Sequence, residues 1–430
     1  MKYFISLLLF TFSFLLSTSE SYFFWLKSAD NSISNIQHIE SKYQLHLPII
    51  SFIFDPRGND AIRTITNLSG QLGEDRIYHI TISPDNFSAQ EVASGAFDKQ
   101  YKIFFSLIKT NNLKVIFRTM HEMNGGRYPR SSNPKAFKQA RIHVRNLSRE
   151  EWLTAENILF DMSVNHRDMP TKDLHPSQTS KLINCSLSNK TKKQCPTFED
   201  YYPGDKYVDL MGFTFYNRGK ASYERDRIAP AQIVNQRNIL TRLKSFSKPI
   251  FIDEVATTAV RYDGKYTMKQ SRETYKTDSD AKNQRLLQLK ALMKKEPRII
   301  GLAYFNVDYT NGLTERLIGE ADRSAINLEK GKIYTSIFDL IKNSEKLQNE
   351  NQLLSLFNLK LIIKNNTGHF VSSDFVKPVK DLLTTIDKNL SWKNDKIKFL
   401  ENVNLKNLYK RFTDTQLKEI TNEAKQFILE

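Results

Sequence analysis

Eight short apolar runs recur along the first 306 residues, at 22–26, 47–54, 76–82, 114–120, 157–164, 208–215, 249–255 and 299–306. Most do not alternate with polar residues, as expected of strands buried on both faces of a parallel sheet. Between nearly all of them lie stretches with apolar residues at helical spacing, at 31–44, 61–72, 97–110, 134–147, 232–246 and 280–295. In the third of these Tyr101, Phe104, Phe105, Leu107 and Ile108 share one face of a helix. Strand and helix in eightfold alternation predict an α/β fold, a (β/α)8 TIM barrel. The competing architecture is an open doubly wound sheet, but no Gly-rich phosphate loop follows the first run.

The two ends of the chain read differently. Met1-Lys2 precedes an apolar run from Ile5 to Leu16, and then come Ser17, Thr18, Ser19, Glu20 and Ser21. A short positive start, a greasy stretch and small residues predict a signal peptide over 1–21. The run is shorter than the roughly 20 residues that span a bilayer. The alternative is an uncleaved anchor, helped by Phe23, Phe24, Trp25 and Leu26. From Asn343 the composition shifts to Lys, Asn and Leu, with helical patches at 376–389 and 405–429. The expected organisation is therefore a leader (1–21), a barrel (22–342) and a small, mainly helical C-terminal appendage (343–430). Export makes Cys185 and Cys195 a candidate disulfide closing a surface loop within the long polar stretch 165–206.

The net charge of +16 in 430 residues suits acidic polymers or anionic surfaces and says nothing about fold. No helix-turn-helix or zinc-finger spacing accompanies it, so nucleic acid is not expected as a partner. The two cysteines are too few for a four-thiolate zinc site. Gly-x-Ser-x-Gly, His-Glu-x-x-His and Walker patterns are absent. His166 and His175 stand alone and read as polar surface or loop residues.

In a parallel barrel the chemistry sits at the C-terminal edge of the strands. The fourth run leads into Arg118-Thr119-Met120-His121-Glu122-Met123-Asn124-Gly125. The seventh ends at Asp253-Glu254, the sixth at Tyr216-Asn217, the fifth at Asn165, and the eighth at Asn306 and Asp308. Glu122 and Glu254 therefore face one another across the mouth. Opposed carboxyls are what glycosidic cleavage requires, one to protonate the leaving oxygen and one to attack or steady the oxocarbenium-like carbon. His121 and Tyr216 are suitable hydrogen-bond donors beside them.

The string His121-Glu122-Met123-Asn124-Gly125 resembles the acid/base motif of glycoside hydrolase family 26. Further matches follow in order: Gly95-Ala96-Phe97-Asp98, the segment from Tyr202 to Asp209, the segment from Lys248 to Glu254, and Tyr304-Phe305-Asn306. The resemblance spans about residues 22–340. It implies a barrel enzyme with Glu122 as general acid/base and Glu254 as nucleophile. It also implies retention by double displacement, with no metal and no cofactor. His121 would orient the acid and Tyr216 would bond the nucleophile, with Arg118, Asn124 and Asn165 lining the substrate site. Arg127, Arg130 and Arg218 stand where the family commonly carries aromatics. Lost aromatic rings remove sugar-stacking surface, and arginine offers a fork for carboxylate or sulfate. The substrate is thus expected to be a β-linked polysaccharide, with an acidic glycan as the sharper expectation and neutral mannan as the alternative. A carbohydrate-binding relative without turnover is the other class. The chain is expected to be a secreted monomer, meeting a membrane only if its leader stays in place.

Overall fold

The structure is a computed structural model. It describes residues 23–27, 33–47, 49–73, 76–125, 128–166, 196–217, 234, 238–257, 279–296, 298–307, 326–327, 332–333, 335–337, 356–357, 359–364 and 367–429. In chain order the barrel region holds β1 (Phe23–Lys27), α1 (Ile33–Tyr43), β2 (Ile49–Phe54), α2 (Asp60–Leu72), β3 (Ile77–Ile82), α3 (Ala89–Ala93), α4 (Asp98–Thr110), β4 (Lys114–Thr119), α5 (Pro134–Glu150) and β5 (Ile158–Asn165). It continues with β6 (Leu210–Asn217), α6 (Ile239–Lys244), β7 (Ile250–Thr257), α7 (Ser279–Lys295) and β8 (Ile299–Phe305).

Strands β2 to β8 form a curled parallel sheet in sequential order. The short β1 pairs with β2 on one side and β8 on the other. Every described residue of β3, β4, β7 and β8 is buried, which is why those runs show no alternation. Outward side chains meet the helices. Phe104 and Phe105 of α4 pack on Phe117 of β4 with ring centroids 5.3 Å apart, and Phe117 lies 5.1 Å from Phe160 of β5.

Local chemistry sets the helix starts. Ser88 and Glu91 form a reciprocal capping box on α3, a short helix the apolar pattern did not announce. Asn133 caps α5 through Ala136 N–H at 3.0 Å, and Pro134 takes the first helical position, where its missing N–H costs nothing. Of the helix expected over 232–246, Val234 and α6 fall among the described residues.

Inward residues at the N-terminal ends of the strands make an apolar floor: Ile49, Ile77, Ile116, Leu159, Leu210 and Phe251. Phe357, from beyond the barrel strands, is fully buried in the same cluster. Leu356 and Phe357 therefore pack against the bottom of the barrel.

Beyond β8 come two-residue pieces β9 (Ile326–Asn327) and β10 (Lys332–Ile333), then an antiparallel hairpin of β11 (Leu359–Lys364) and β12 (Thr367–Ser372). Helices α8 (Val376–Asn389), α9 (Lys393–Asn402), α10 (Leu405–Leu408) and α11 (Asp414–Leu429) follow. They share a core of Val379, Leu382, Ile386, Leu400, Ile420 and Phe427. The hairpin departs from the largely helical expectation; its sequence signal was an apolar run, Asn365-Asn366, and a second run. The single helix expected over 405–429 is broken, because Thr413 and Gln416 cap the start of α11 reciprocally at 3.3 and 3.0 Å. Among the described residues no helix is long and apolar enough to cross a membrane.

Candidate active site

Glu122 lies three residues past β4. Its N–H donates to Ser163 O of β5 at 2.9 Å, and its carbonyl accepts Gly125 N–H at 2.9 Å. Met120 and Glu122 both sit in the left-handed region, at φ 52° and 53°. Non-glycine residues there store strain of order 1–3 kcal/mol each, which the bonds to β5 and the tight turn to Gly125 must hold. The result turns the Glu122 carboxyl inward. It is 1% exposed, and Thr214 Oγ1 of β6 donates to its Oε1.

Glu254 reaches the same space through a register shift. Phe213 and Thr214 of β6 pair with Ile252 and Glu254, one step against two. On the other side Ile252 and Val255 pair with Leu302 and Tyr304, three steps against two. One extra residue in β7 puts two successive carboxyls, Asp253 and Glu254, on the interior side, where strict alternation would allow one. Arg118 donates to Glu254 Oε1 and Tyr216 to Oε2. Glu254 is 8% exposed, and the half-buried Tyr216 stands edge-on to Phe305 at 5.8 Å. Thr214 and Tyr216 are two residues apart on one face of β6, a rise of about 7 Å. That one strand therefore holds both glutamates.

Arg118 is fully buried. Its Nε donates to Thr81 at 2.7 Å, one terminal nitrogen to Ser163 at 3.3 Å, and the other to Glu254. Burial works against its charge, but Glu254, Asp253 and Asp161 outweigh that and hold it above its ordinary value. With its nitrogens so engaged, Arg118 supports Glu254 from beneath, where the sequence placed it against substrate.

His121, beside Glu122, is buried. Its Nδ1 lies 3.3 Å from Ser83 Oγ and its Nε2 3.4 Å from Tyr128 OH. Arg130 is fully buried too, so it is not the substrate-facing fork that the sequence suggested. Its guanidinium stacks on Tyr128 at 3.6 Å, donates to His121 O at 3.0 Å, and pairs with Asp85 at 3.1 Å. The Asn124 side chain makes two hydrogen bonds of 2.8 Å to the Asn165 backbone, donating to its carbonyl and accepting its N–H, and ties the turn after β4 to β5. His166 is 6% exposed and shares a 3.1 Å contact with Thr214 O, a correction to its surface reading. Arg127, Arg218, Cys185 and Cys195 lie outside the described residues.

Two of the ordered motifs prove to be scaffold. Gly95 has φ +90°, and a Cβ there would meet the Asp98 carboxyl at 3.0 Å, while Asp98 itself binds His143 at 2.7 Å. Asp209 accepts Phe160 N–H and Arg145, both at 2.7 Å. Sequence reasoning missed Thr81, Ser83, Tyr128, Asp161, Ser163 and Thr214. Several were visible as polar residues two apart in otherwise buried runs, such as His79 and Thr81 or Asp161 and Ser163, which mark an inward face.

No family model and no curated protein matches the sequence. Among solved structures, the chain is similar to GH26A from a Muricauda species at 14% identity and TM-score 0.43, over 71% of this chain and 90% of that one. It is similar to the GH26 domain of an endo-beta-mannanase/endo-beta-glucanase from Prevotella bryantii at 12% and 0.43, over 77% and 90%. A modular endo-beta-1,4-mannanase from Cellulomonas fimi gives 11% and 0.47, over 82% and 75%. At such identities the chemistry has to be read from the chain's own side chains.

Proposed function

We propose that this chain is a retaining glycoside hydrolase of the mannanase type, built on a (β/α)8 barrel and acting on a β-linked polysaccharide. The observation that carries this reading is the pair Glu122 and Glu254, both held from one face of β6, the first by Thr214 and the second by Tyr216. Glu254, with Arg118 and Tyr216 on its two oxygens, acts as nucleophile on the anomeric carbon. The leaving oxygen takes the proton of Glu122, and a glycosyl ester of Glu254 forms. Glu122 then draws a proton from water, which attacks the anomeric carbon and frees Glu254; two inversions give net retention. As the ester forms through one oxygen, the donor on the other oxygen, Arg118 or Tyr216, stays bonded to the remaining carbonyl. His121, gripped by Ser83, Tyr128 and Arg130, fixes the chain that presents Glu122.

Neutral mannan is the favoured substrate. The acidic-glycan reading rested on three arginines, and Arg130 is spent inside the protein on Asp85 and Tyr128. Arg127 and Arg218 keep that reading as the second choice. The protein is further proposed to be exported by its 1–21 leader and to work as a monomer.

The test is digestion of a panel of neutral and uronate-bearing β-glycans by the wild type, Glu122→Gln and Glu254→Gln, with the anomer first released read by NMR. Release of the retained anomer, abolished by Glu254→Gln, is expected. Inversion, or turnover that survives in Glu254→Gln, would overturn the assignment.

A further inference from the structure

Beneath Glu254 lies a buried layer of which the proposed reaction uses Arg118 alone. His79 (β3), Arg118 (β4), Asp161 (β5) and Asp253 (β7) are all fully buried. A ring nitrogen of His79 and one oxygen of each aspartate lie within 4.8 Å of one another. None of the four aspartate oxygens has a well-aligned donor among the described residues. The Ser163 hydroxyl and Gly212 N–H approach only at looser geometry, and the aspartates meet each other side chain to side chain.

Two unscreened carboxylates in contact repel strongly, and each loses its hydration. His79 cannot relieve them: burial, and then the Arg118 charge, push its imidazole well below its ordinary value, so it is neutral. Its Nδ1 meets Ser51 Oγ at 2.9 Å, and its Nε2 lies 3.8 Å from Asp253 Oδ1, beyond a hydrogen bond. Arg141 of α5 faces the pair from outside the sheet and donates to Asp161 O at 2.9 Å. Counting Arg118, Arg141, Asp161, Asp253 and Glu254, two guanidiniums stand against three carboxyls, and the excess is one negative charge. A single proton removes both the excess and the missing donor. Burial first, and then the Asp161 charge, raise Asp253 well above the carboxylate range, and burial raises Asp161 as well, against the contacts with Asp253, Arg118 and Arg141 that lower it.

We propose that Asp161 and Asp253 hold one proton between them and act as a single counter-anion that positions Arg118 under Glu254. The proposal rests on Glu254 as nucleophile for its role, although the shared proton itself does not. When Glu254 spends its charge in the glycosyl ester, the pair remains opposite Arg118, so the guanidinium is never left buried without an anion. A divalent cation on the same three ligands is the competing occupant, and the fixed charge of Arg118 opposes it.

The full-length chain tests this by infrared difference spectroscopy at neutral pH and by urea unfolding from pH 4 to 8. In Glu122→Gln, which removes the acid's own proton, a protonated-carboxyl stretch is expected, and it is lost when Asp161→Asn or Asp253→Asn is added. The folded pair binds one proton more than the unfolded chain, whose aspartates ionise near 4. Its contribution is therefore full below that pH, and the folding constant falls about tenfold per pH unit above it. Asp253→Asn should lack that slope, because its amide supplies the donor permanently. In kinetics either single variant keeps one anion, whereas Asp161→Asn/Asp253→Asn removes it and should lower kcat by about a hundredfold with KM little changed. Identical pH slopes in wild type and Asp253→Asn, or no protonated stretch, would overturn the proposal. So would a stretch that appears only after chelation, which would assign the site to a cation. Failure of Glu254→Gln to abolish turnover would sink the nucleophile assignment and leave the spectroscopic result standing.

Discussion

Gly212→Ala is the most demanding perturbation of this site. Gly212 lies on β6, and a Cβ built there would stand 1.6 Å from Asp253 Oδ2, 2.3 Å from its Cγ and 2.6 Å from Oδ1. Ordinary carbon–oxygen contact is about 3.4 Å, so the carboxyl must retreat by roughly 1.8 Å, more than close-packed interiors absorb by small adjustments. Asp253 has nowhere to go, since it is fully buried against Asp161 and near His79, and its neighbour is Glu254. Overpacking of a rigid interior costs about 1–3 kcal/mol, occasionally more, and this overlap belongs at or beyond the upper end. A loss of about 3 kcal/mol lowers Tm by about 6–12 °C, at 2–4 °C per kcal/mol. Urea unfolding gives the stability and initial rates on a soluble β-glycan give the activity, which should fall with it because the displaced carboxyl adjoins Glu254, the proposed nucleophile. Asp253→Ala, which deletes the clashing atoms, should partly suppress the defect, with a favourable coupling of at least about 1 kcal/mol in the double-mutant cycle. A Gly212→Ala protein within about 0.5 kcal/mol of wild type, or strict additivity with Asp253→Ala, would refute the argument.

Two further outcomes are expected. Tyr216→Phe removes one of the donors on Glu254 and should lower kcat by about a hundredfold, with KM little changed, in steady-state kinetics. Phe357→Ala should cost about 3–5 kcal/mol of unfolding free energy, because its ring is fully buried in the barrel floor; a change under about 1 kcal/mol would mean that Phe357 does not pack against that floor.

Much of the scaffold could be read from the chain before its structure. The run 114–120 became Lys114–Thr119 and 157–164 became Ile158–Asn165, because continuous apolarity directly reports burial on both faces. Helix 376–389 matched at both ends. The β11–β12 hairpin and the break before α11 were missed although Asn365-Asn366 and the Thr413–Gln416 box were there to be read. Arg118 and Arg130 were harder. An arginine at or beyond a strand end looks the same in sequence whether it meets solvent or a carboxylate of the protein, and only the partners Glu254 and Asp85 decide it.

Residue order alone determined a parallel α/β architecture, and it placed Glu122 and Glu254 at the ends of opposed strands, because both follow from periodicity and chain direction. Tertiary structure decided which way those carboxyls point. The alternation of a strand cannot turn two adjacent residues inward. The extra residue of β7 does so for Asp253 and Glu254, and the left-handed turn at Met120 and Glu122 does the corresponding work after β4. Both depend on pairing with neighbouring strands far away in the chain, through Thr214 on one side and Ser163 on the other, so no local pattern could have announced them.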